Sequence, residues 1–385
     1  MKVFVGLSGG VDSAVAAYLL KKAGHEVTGG FMRNWDAAVN DDYLGNPTVG
    51  NDVCPQEQDY HDAQKVADLL GIPLMRIDYV REYWNDVFSD LIREYGKGRT
   101  PNPDILCNKY IKFDRFHDFA MEHGFDALAT GHYAKIVKRD GECFLAKASD
   151  LNKDQSYFLD QIDRRVLDHV IFPLQDITKP EVREIAHQLN LSSVMDKKDS
   201  TGICFIGERD FREFLKNYLP AKTGKMIDIA TGKVLGEMEG VLYYTIGQRK
   251  GLQIGGEGGP WFVCGKDVEH NELYVCAGKT NEWLFSDSCK ITNVNWLVKN
   301  PPETGFKGAA KFRYRQADNP VTFEMQGNDV ILHYPQRVSS VAVGQQAVFY
   351  DGDICLGGGV IDEVYLHGKE RNGEMKETVK FLRNK

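Results

Sequence analysis

The chain has 385 residues, of which 42% are hydrophobic and 26% are charged, a composition typical of a globular protein with two or three domains. No stretch approaches the roughly 20 apolar residues of a membrane span, and no signal segment precedes the first strand, so we expect a cytoplasmic protein without a membrane partner. The net charge of −8 gives no global indication of nucleic acid. Eight cysteines without a CxxC pair argue against a disulfide framework and a structural zinc site, and we predict no metal held by side chains alone.

Up to about residue 205, strand-like and helix-like segments alternate along the chain. The strand-like KVFVGL is followed by the helix-like DSAVAAYLLKKAG, and the later strand-like segments HEVTGGFM, PLMRID and DALAT are separated by helical periodicity. This order predicts an α/β fold with a doubly wound, mostly parallel sheet and helices on both faces. We assign residues 1–208 to this domain.

From about residue 220 the pattern changes to strands joined by short Gly, Asn and Asp turns, as in GKMIDIATGKVLGE and NPVTFEMQGNDVILHYP. Such hairpins predict β-rich modules, and small barrels are the expected form. We assign residues 209–283 to a central β-rich domain and residues 284–366 to a C-terminal β-barrel. The polar residues 367–385 are expected to form a loose tail.

The first chemical motif is GLSGGVDS, which joins the first strand to the first helix. A Gly-rich turn at the start of a helix is an anion site, but this one has neither the lysine of a Walker A loop nor a GxGxxG pattern. It resembles the pyrophosphate-binding loop of the N-type ATP pyrophosphatases, which cleave ATP between the α and β phosphates; the alternative is a capped Gly-Gly turn. The resemblance predicts ATP contacts along the loop, namely from Gly6, Leu7, Ser8, Gly9, Gly10, Val11, Asp12 and Ser13.

Two cysteines lie in motif-like settings, Cys107 in NPDILCNKYIKF and Cys204 in DSTGICFIGERDF. An adenylate can be attacked by nitrogen or by sulfur, and sulfur chemistry requires thiols. The segment from Arg93 to Arg115 carries six basic and three acidic residues, so it would surround Cys107 with a modest positive field, although a solvated helix face explains that charge about equally well. Each cysteine alone is as easily a small buried side chain.

The whole chain resembles the tRNA-specific 2-thiouridylases, which replace the C2 oxygen of the wobble uridine by sulfur. The resemblance covers residues 2 to about 364, with two departures: the segment 37–58 is longer than usual, and Val343 stands where a proline often precedes the GQ pair. It rests on an ordered set of motifs, namely SGGVDS, FMRNWD, GRTPNPDILCN, ATGHYA, KDQSYFL, STGICFIGER, TIGQRKGL, FRYRQ and GQQAVFYDGD.

This resemblance implies a chemical role for three residues. Cys204 would carry sulfur as a persulfide, Cys107 would help to release it and be left in a disulfide with Cys204, and Asp104 would act as general acid or base. ATP would be the co-substrate with Mg²⁺, tRNA the substrate, and a cysteine desulfurase or sulfur-relay protein the donor. Either free hydrosulfide or the persulfide itself would attack C2.

The resemblance also implies binding residues, each of which has an ordinary structural alternative. Met32 would line the adenine pocket through its main chain, and Gly131, after a predicted strand, would lie beside the nucleotide. Asn102 and Pro103 would shape a pocket for a flipped base. The resemblance implies contact with tRNA for the central domain 209–283 and for Asn102, Pro103, Asp104, His132, Lys153, Asp154, Gln155, Arg313, Tyr314 and Gln345.

Two other classes of function remain open at this stage. A pyrophosphatase-type enzyme that forms a C–N bond, as a ligase or an amidating enzyme, would need no sulfur and should keep its activity without Cys204. A tRNA-binding β protein with an inactive nucleotide domain would release no AMP.

Overall fold

The computed structural model describes residues 1–44, 55–195, 197, 210–255 and 258–385. The described part of the first 195 residues contains seven strands and seven α-helices. The strands are β1 Lys2–Gly6, β2 Glu26–Arg33, β3 Leu74–Asp78, β4 Ala127–Ala129, β5 Ala134–Arg139, β6 Glu142–Lys147 and β7 Val170–Ile171. The helices are α1 Val11–Lys22, α2 Pro55–Leu70, α3 Val80–Tyr83, α4 Ser89–Gly96, α5 Pro103–Cys107, α6 Phe116–Glu122 and α7 Lys179–Gln188.

Five of these strands form a parallel sheet in the order β3-β2-β1-β4-β7. The central strand β1 is buried on both faces: Phe4 packs with the helices between residues 80 and 122, whereas Val3 and Val5 pack with α1, α2 and α7. A strand covered on both faces must be apolar where it is buried, which explains the uninterrupted run VFV after the exposed Lys2. The predicted parallel sheet with helices on both faces is confirmed.

The segment around the candidate thiol is one long helix with two types of turn. After α5, residues Asn108–Arg115 have the wider turns of a π-helix, and the chain then continues directly into α6. Similarly, the π-helical residues Trp84–Phe88 join α3 to α4. π-Helical turns are rare in proteins as a whole, but where they occur they are often at functional sites. One of these two π-helical segments begins immediately after Cys107.

The central part of the chain is a separate four-stranded sheet, reached through the short helix α8 Phe211–Leu215. Its strands pair in the order β10-β11-β8-β9, and apolar side chains cover both faces. They are β8 Gly224–Asp228, β9 Val234–Met238, β10 Trp261–Asp267 and β11 Glu272–Ala277.

The last large unit is a six-stranded barrel in the order β12-β15-β14-β13-β16-β17, closed by pairing of β17 with β12. The hairpin β5–β6 from the N-terminal domain extends this sheet, because Ala146 of β6 pairs with Ile354 of β17. The strands are β12 Phe285–Trp296, β13 Lys307–Lys311, β14 Asn319–Gln326, β15 Asp329–Ser339, β16 Gln346–Asp351, β17 Ile354–Leu366 and the short β18 Lys369–Glu370.

The expectation of a loose C-terminal tail is wrong. Residues Arg371–Arg383 form helix α9, which begins at the side-chain cap of Glu370. Met375 and Val379 are buried in the apolar cluster of the central sheet. These two apolar residues are four positions apart and therefore lie on one face of the helix. The rest of the segment is mostly polar, so the amphipathic signal in the sequence is weak.

Candidate functional site

The Gly-rich loop follows β1 and is shaped by close backbone approaches. The amide of Leu7 donates to the carbonyl oxygen of Gly30 (2.8 Å), so the loop continues the parallel ladder for one residue. Gly9 has a φ of +72°, and a Cβ atom there would lie 2.3 Å from the carbonyl oxygen of Asp59 in α2. Only glycine fits both the conformation and the space.

The Ser13 hydroxyl stabilises the turn at the N-terminus of α1. The hydroxyl of Ser13 donates to the Gly10 carbonyl (2.9 Å) and accepts from the Ser8 amide (3.2 Å), while no side chain caps the helix at Gly10. The first backbone amides of this 12-residue helix therefore have no side-chain cap and face the glycine turn, where the helix dipole is positive. This arrangement suits the binding of phosphate.

Asp12, in the first turn of α1, is held by two residues from distant parts of the chain. Lys179 Nζ lies 2.6 and 2.8 Å from the two carboxylate oxygens of Asp12, and the hydroxyl of Tyr133 donates to one of them (2.9 Å). The aspartate thus keeps a fixed orientation, and its negative charge is balanced where phosphates are expected.

A second lysine reaches the loop from beyond α7. Lys197 Nζ donates to the carbonyl of Gly9 (3.0 Å) and lies within ion-pair distance of Asp59 and Asp62 in α2. Hydrogen bonds and charge from these two carboxylates outweigh burial and raise the pKa of Lys197. The loop that carries no lysine in its own sequence therefore has two lysines from elsewhere.

Sequence reasoning missed both lysines, because it searched for cations only inside the loop. One signal was present: Thr178 and Glu181 have the spacing of a capping box, and the structure contains both of its reciprocal bonds. A helix that starts there, after the edge strand β7, brings Lys179 to the carboxyl edge of the sheet. Nothing comparable in the sequence points to Lys197.

Strands β2 and β4 flank β1; Met32 lies on β2, and Gly131 lies in the chain just after β4. A Cβ atom on Gly131 would be 2.8 Å from the amide nitrogen of Ser13, so the chain after β4 touches the N-terminus of α1. Met32 lies near the end of β2 and is partly buried against the apolar core. Their predicted contacts with the nucleotide stay predictions.

Asn102, Pro103 and Asp104 form the start of α5. The side chain of Asn102 accepts from the Asp104 amide (3.2 Å), and Pro103 occupies the first helical position, where its missing N–H costs nothing. The NPD sequence is therefore a helix-start signal as well as a candidate base pocket.

Asp104, Lys112 and His132 form an electrostatic cluster, and its lysine is one of the six basic residues counted from Arg93 to Arg115. Burial raises the pKa of Asp104 to about 6, against an opposing effect of Lys112. Burial and then the same Lys112 charge lower the pKa of His132 well below its ordinary value. At neutral pH the site thus has an ionised carboxylate, a cation and a neutral imidazole whose Nδ1 lies 2.8 Å from the Thr130 hydroxyl.

Cys107 lies one turn into the helix and is only 1% exposed, among apolar side chains that include Ile105 and Ile111. The field of a helix terminus falls off within the first turn, so it acts on Asp104 more than on Cys107. Cys204 lies outside the described residues, and its pairing with Cys107 stays a prediction.

The KDQ segment is tied to the chain around Gly131. Gln155 and Tyr133 exchange two hydrogen bonds through the Gln155 amide (2.7 Å) and side-chain oxygen (3.0 Å). Asp154 is 4% exposed, and its carboxylate accepts hydrogen bonds from the amides of Ala148 and Ser156 inside the protein. Lys153 is partly exposed. Their contacts with tRNA stay predictions, and that of Asp154 would require these internal bonds to be replaced.

The three barrel residues predicted to contact RNA already have protein partners. The Arg313 guanidinium donates to the carbonyls of Ile246 (2.6 Å) and Ser340 (2.7 Å), which links the barrel to the central domain. Tyr314 packs against Phe158, with ring centroids 4.4 Å apart. The third, Gln345, donates to the carbonyl of Thr100 (3.0 Å). All three lie at domain junctions, and a direct RNA contact stays a prediction.

Three family models match successive parts of the chain. A tRNA methyl transferase HUP domain matches residues 1–208, a tRNA methyl transferase PRC-barrel domain residues 212–277, and an aminomethyltransferase beta-barrel domain residues 286–361. Together with the phosphate loop, these matches define the class: a tRNA-modifying protein with a nucleotide-binding α/β domain.

Full-length relatives identify the family within this class. The tRNA-specific 2-thiouridylase MnmA of Mycoplasma capricolum is 53% identical over 94% of this chain and 99% of that protein. MnmA 2 of Geobacillus kaustophilus is 50% identical over 96% of each chain. Among solved structures, NMN synthetase from Francisella tularensis aligns with 54% of this chain and 68% of that chain, at 20% identity and a TM-score of 0.33. The chain belongs to the tRNA-specific 2-thiouridylase family.

The clamp on Asp12 leads to a prediction for ATP binding. Replacement of Lys179 by Met leaves the Asp12 carboxylate without its cation beside the incoming phosphates, so we expect the Kd for ATP to rise at least about tenfold, equivalent to about 1.4 kcal/mol. Lys22→Met, at the exposed far end of α1, is the matched control and should leave the Kd unchanged. Equal ATP affinities of all three proteins by titration calorimetry would contradict this role for Lys179.

Proposed function

We propose that this protein uses ATP to replace the C2 oxygen of the wobble uridine of tRNA by sulfur. One observation supports the proposal beyond family membership. His132 directly follows Gly131, which contacts the N-terminus of α1. Besides the larger effect of burial, the charge of Lys112 acts to lower the pKa of both His132 and Asp104, so the two residues face the same lysine. The nucleotide loop and the candidate base site are thus neighbours, as transfer of an adenylyl group to a base requires.

In the proposed reaction, uridine O2 attacks the α-phosphate of ATP, and pyrophosphate leaves. The amides at the start of α1, with Lys179 and Lys197 behind them, would hold the phosphates. Asp104 is mostly ionised at neutral pH, because its pKa is about 6, and it would accept a proton from the uracil ring or from a thiol. The neutral ring of His132 would pack against the flipped base.

Sulfur transfer would follow through the two motif cysteines. A donor protein loads Cys204 as a persulfide, and the Cys107 thiolate attacks its inner sulfur. This attack forms the Cys107–Cys204 disulfide and releases hydrosulfide, which attacks C2 and displaces AMP; direct attack by the persulfide is the alternative. A reductant then restores both thiols. The Cα atoms of the two cysteines must come within about 7 Å for the disulfide to form.

Mg²⁺ would neutralise phosphate charge when it is bound with ATP. Asp12 is the carboxylate in the first turn of α1, but it already pairs with Lys179. This donor set fits a metal held mainly by the nucleotide, with Asp12 as its protein contact.

A cytoplasmic location stays a prediction that follows from a tRNA substrate. No helix in the described part of the chain has the length and apolar character of a membrane span.

Reconstitution tests the function directly. We expect the protein, incubated with ATP, Mg²⁺, a persulfide source and unmodified tRNA, to form 2-thiouridine together with AMP and pyrophosphate. Asp12→Ala should reduce the yield of all three products through lost ordering of the phosphate site. If nucleotide analysis found ADP and orthophosphate as the tRNA-dependent products, the assignment of α–β cleavage would be wrong.

The raised pKa of Asp104 predicts the acid limb of the pH profile. A general base must be ionised, so the single-turnover rate of thiolation should fall as pH decreases through about 6, where Asp104 becomes protonated. Asp104→Asn should be slow at every pH and lack this limb. Asp118→Asn, which alters an exposed carboxylate on the next helix, is the control and should retain it. An unchanged limb in Asp104→Asn would assign the titration to another group.

The two cysteines should give different phenotypes. Cys204→Ser should neither accept sulfur nor form thiouridine, whereas Cys107→Ser should still load a persulfide, visible as a mass gain of one sulfur atom, but transfer it poorly. Cys143→Ser, in the half-buried strand β6, is the control for loss of an unrelated thiol. Full thiolation by Cys204→Ser with a persulfide donor would rule out its role as carrier.

A further inference from the structure

A cavity of about 220 Å³ lies where the three parts of the chain meet. Its walls come from the Gly98–Thr100 segment of the N-terminal domain, from Lys266 on β10 of the central sheet, and from Val341 and Val343 of the barrel. Helix α9 closes another side with Arg371. The cavity is separate from the nucleotide loop and from the Asp104 cluster, and none of the reactions described above uses it.

Lys266 is a buried cation without a counter-charge. It is 6% exposed, and its Nζ donates to the carbonyl of Gly98 (2.8 Å). Across the ranges that the structure describes, no carboxylate lies within ion-pair distance of it, so its ammonium group has donor capacity to spare. Burial lowers the pKa of Lys266 to about 7. An isolated buried ammonium is costly, and an anion beside it would remove that cost.

Arg371 lines the same cavity and also has a donor to spare. Its two terminal nitrogens bond to Glu374 (2.9 Å) and to the carbonyl of Glu282 (2.9 Å). Its Nε is buried and, within the described residues, has no hydrogen-bond partner. The guanidinium carbon lies 4.7 Å from the centre of the Trp283 ring, which fixes the plane of the group.

The two carboxylates that line the cavity already have hydrogen-bond partners other than Lys266. Asp362 accepts from Arg99 (2.8 Å). Glu370 accepts from the amides of Asn372 (2.8 Å) and Gly373 (2.6 Å) as the cap of α9. Neither carboxylate balances Lys266. Among the described residues, the lining of the cavity therefore includes Lys266, whose ammonium group has donor capacity to spare and no carboxylate partner, and Arg371, whose Nε has no partner.

We propose that this cavity binds a small tetrahedral oxyanion of the phosphate class, held by Lys266 Nζ and Arg371 Nε. Charge-assisted bonds from a lysine and an arginine are the usual means of holding phosphate. The bound anion would connect the central sheet, α9 and the Gly98 segment. The proposal does not depend on the thiolation chemistry. Free inorganic phosphate and a phosphate monoester are two sources of the same group.

Thermal unfolding of the full chain in inorganic phosphate, against chloride at equal ionic strength, tests the site. We expect a saturable rise in Tm whose half-effect concentration increases at least tenfold in Lys266→Met. Lys307→Met, on the exposed side of β13, is the matched control and should behave as wild type. Asp12→Ala should also keep the effect, which separates this cavity from the nucleotide loop. An equal response of Lys266→Met and wild type would overturn the proposal.

Two further arms complete the test. A shift with AMP that depends on Lys266 would assign the site to phosphate monoesters, whereas a shift with inorganic phosphate alone would assign it to the free ion. Should Lys266→Met be too unstable to compare, crystals of the wild-type protein soaked in tungstate would decide directly. We expect an anomalous peak from tungsten within about 4.5 Å of Lys266 Nζ, because the metal lies one W–O bond beyond the oxygen that accepts the hydrogen bond, and a peak only at the loop before α1 would refute the site.

Discussion

The short segment Arg99–Thr100 is the contact on which the rest of the site depends. Thr100 donates its amide to the carbonyl of Val343 (2.9 Å) and accepts from Gln345, so two hydrogen bonds join the barrel to it. Arg99 pairs with Asp362 of β17 (2.8 Å). Three residues after Thr100, the chain begins the helix that carries Asp104 and Cys107. The barrel therefore sets the position of the candidate catalytic helix, whatever contact it also makes with RNA.

The nucleotide side of the site depends on long-range electrostatics. Lys179 and Lys197 reach a loop more than 160 positions away in sequence, where they balance Asp12, Asp59 and Asp62. A lysine placed behind the loop can balance charge without occupying the position proposed for the phosphates, which leaves the backbone amides to face them. This arrangement would let a loop without its own lysine act as the proposed phosphate site of this chain.

The sequence predicted the local features well because local physics determines them. The apolar run VFV predicted the buried strand β1, and the glycines of the loop predicted the turn between β1 and α1, where Gly9 has a φ of +72°. The sequence did not reveal what comes together from far apart: Lys179 at Asp12, Lys112 beside both Asp104 and His132, or Arg313 between two domains. The buried face of α9 was missed because only two apolar side chains, Met375 and Val379, carry it.

The central claim is that contact of the barrel with Thr100 positions the helix of Asp104 and Cys107, and Gly344 allows a direct test. Gly344 has a φ of +92°, and a Cβ atom there would lie 2.7 Å from the amide nitrogen of Thr100, whereas Gly352, with a φ of +58°, has nothing within 4 Å of the same added atom. Gly344→Ala and Gly352→Ala thus share a left-handed backbone but differ in the contact with Thr100. The decisive measurement is amide hydrogen exchange in residues 102–107 of both variants, compared with wild type. The account predicts faster exchange there only in Gly344→Ala, and exchange equal to wild type in both variants would contradict it.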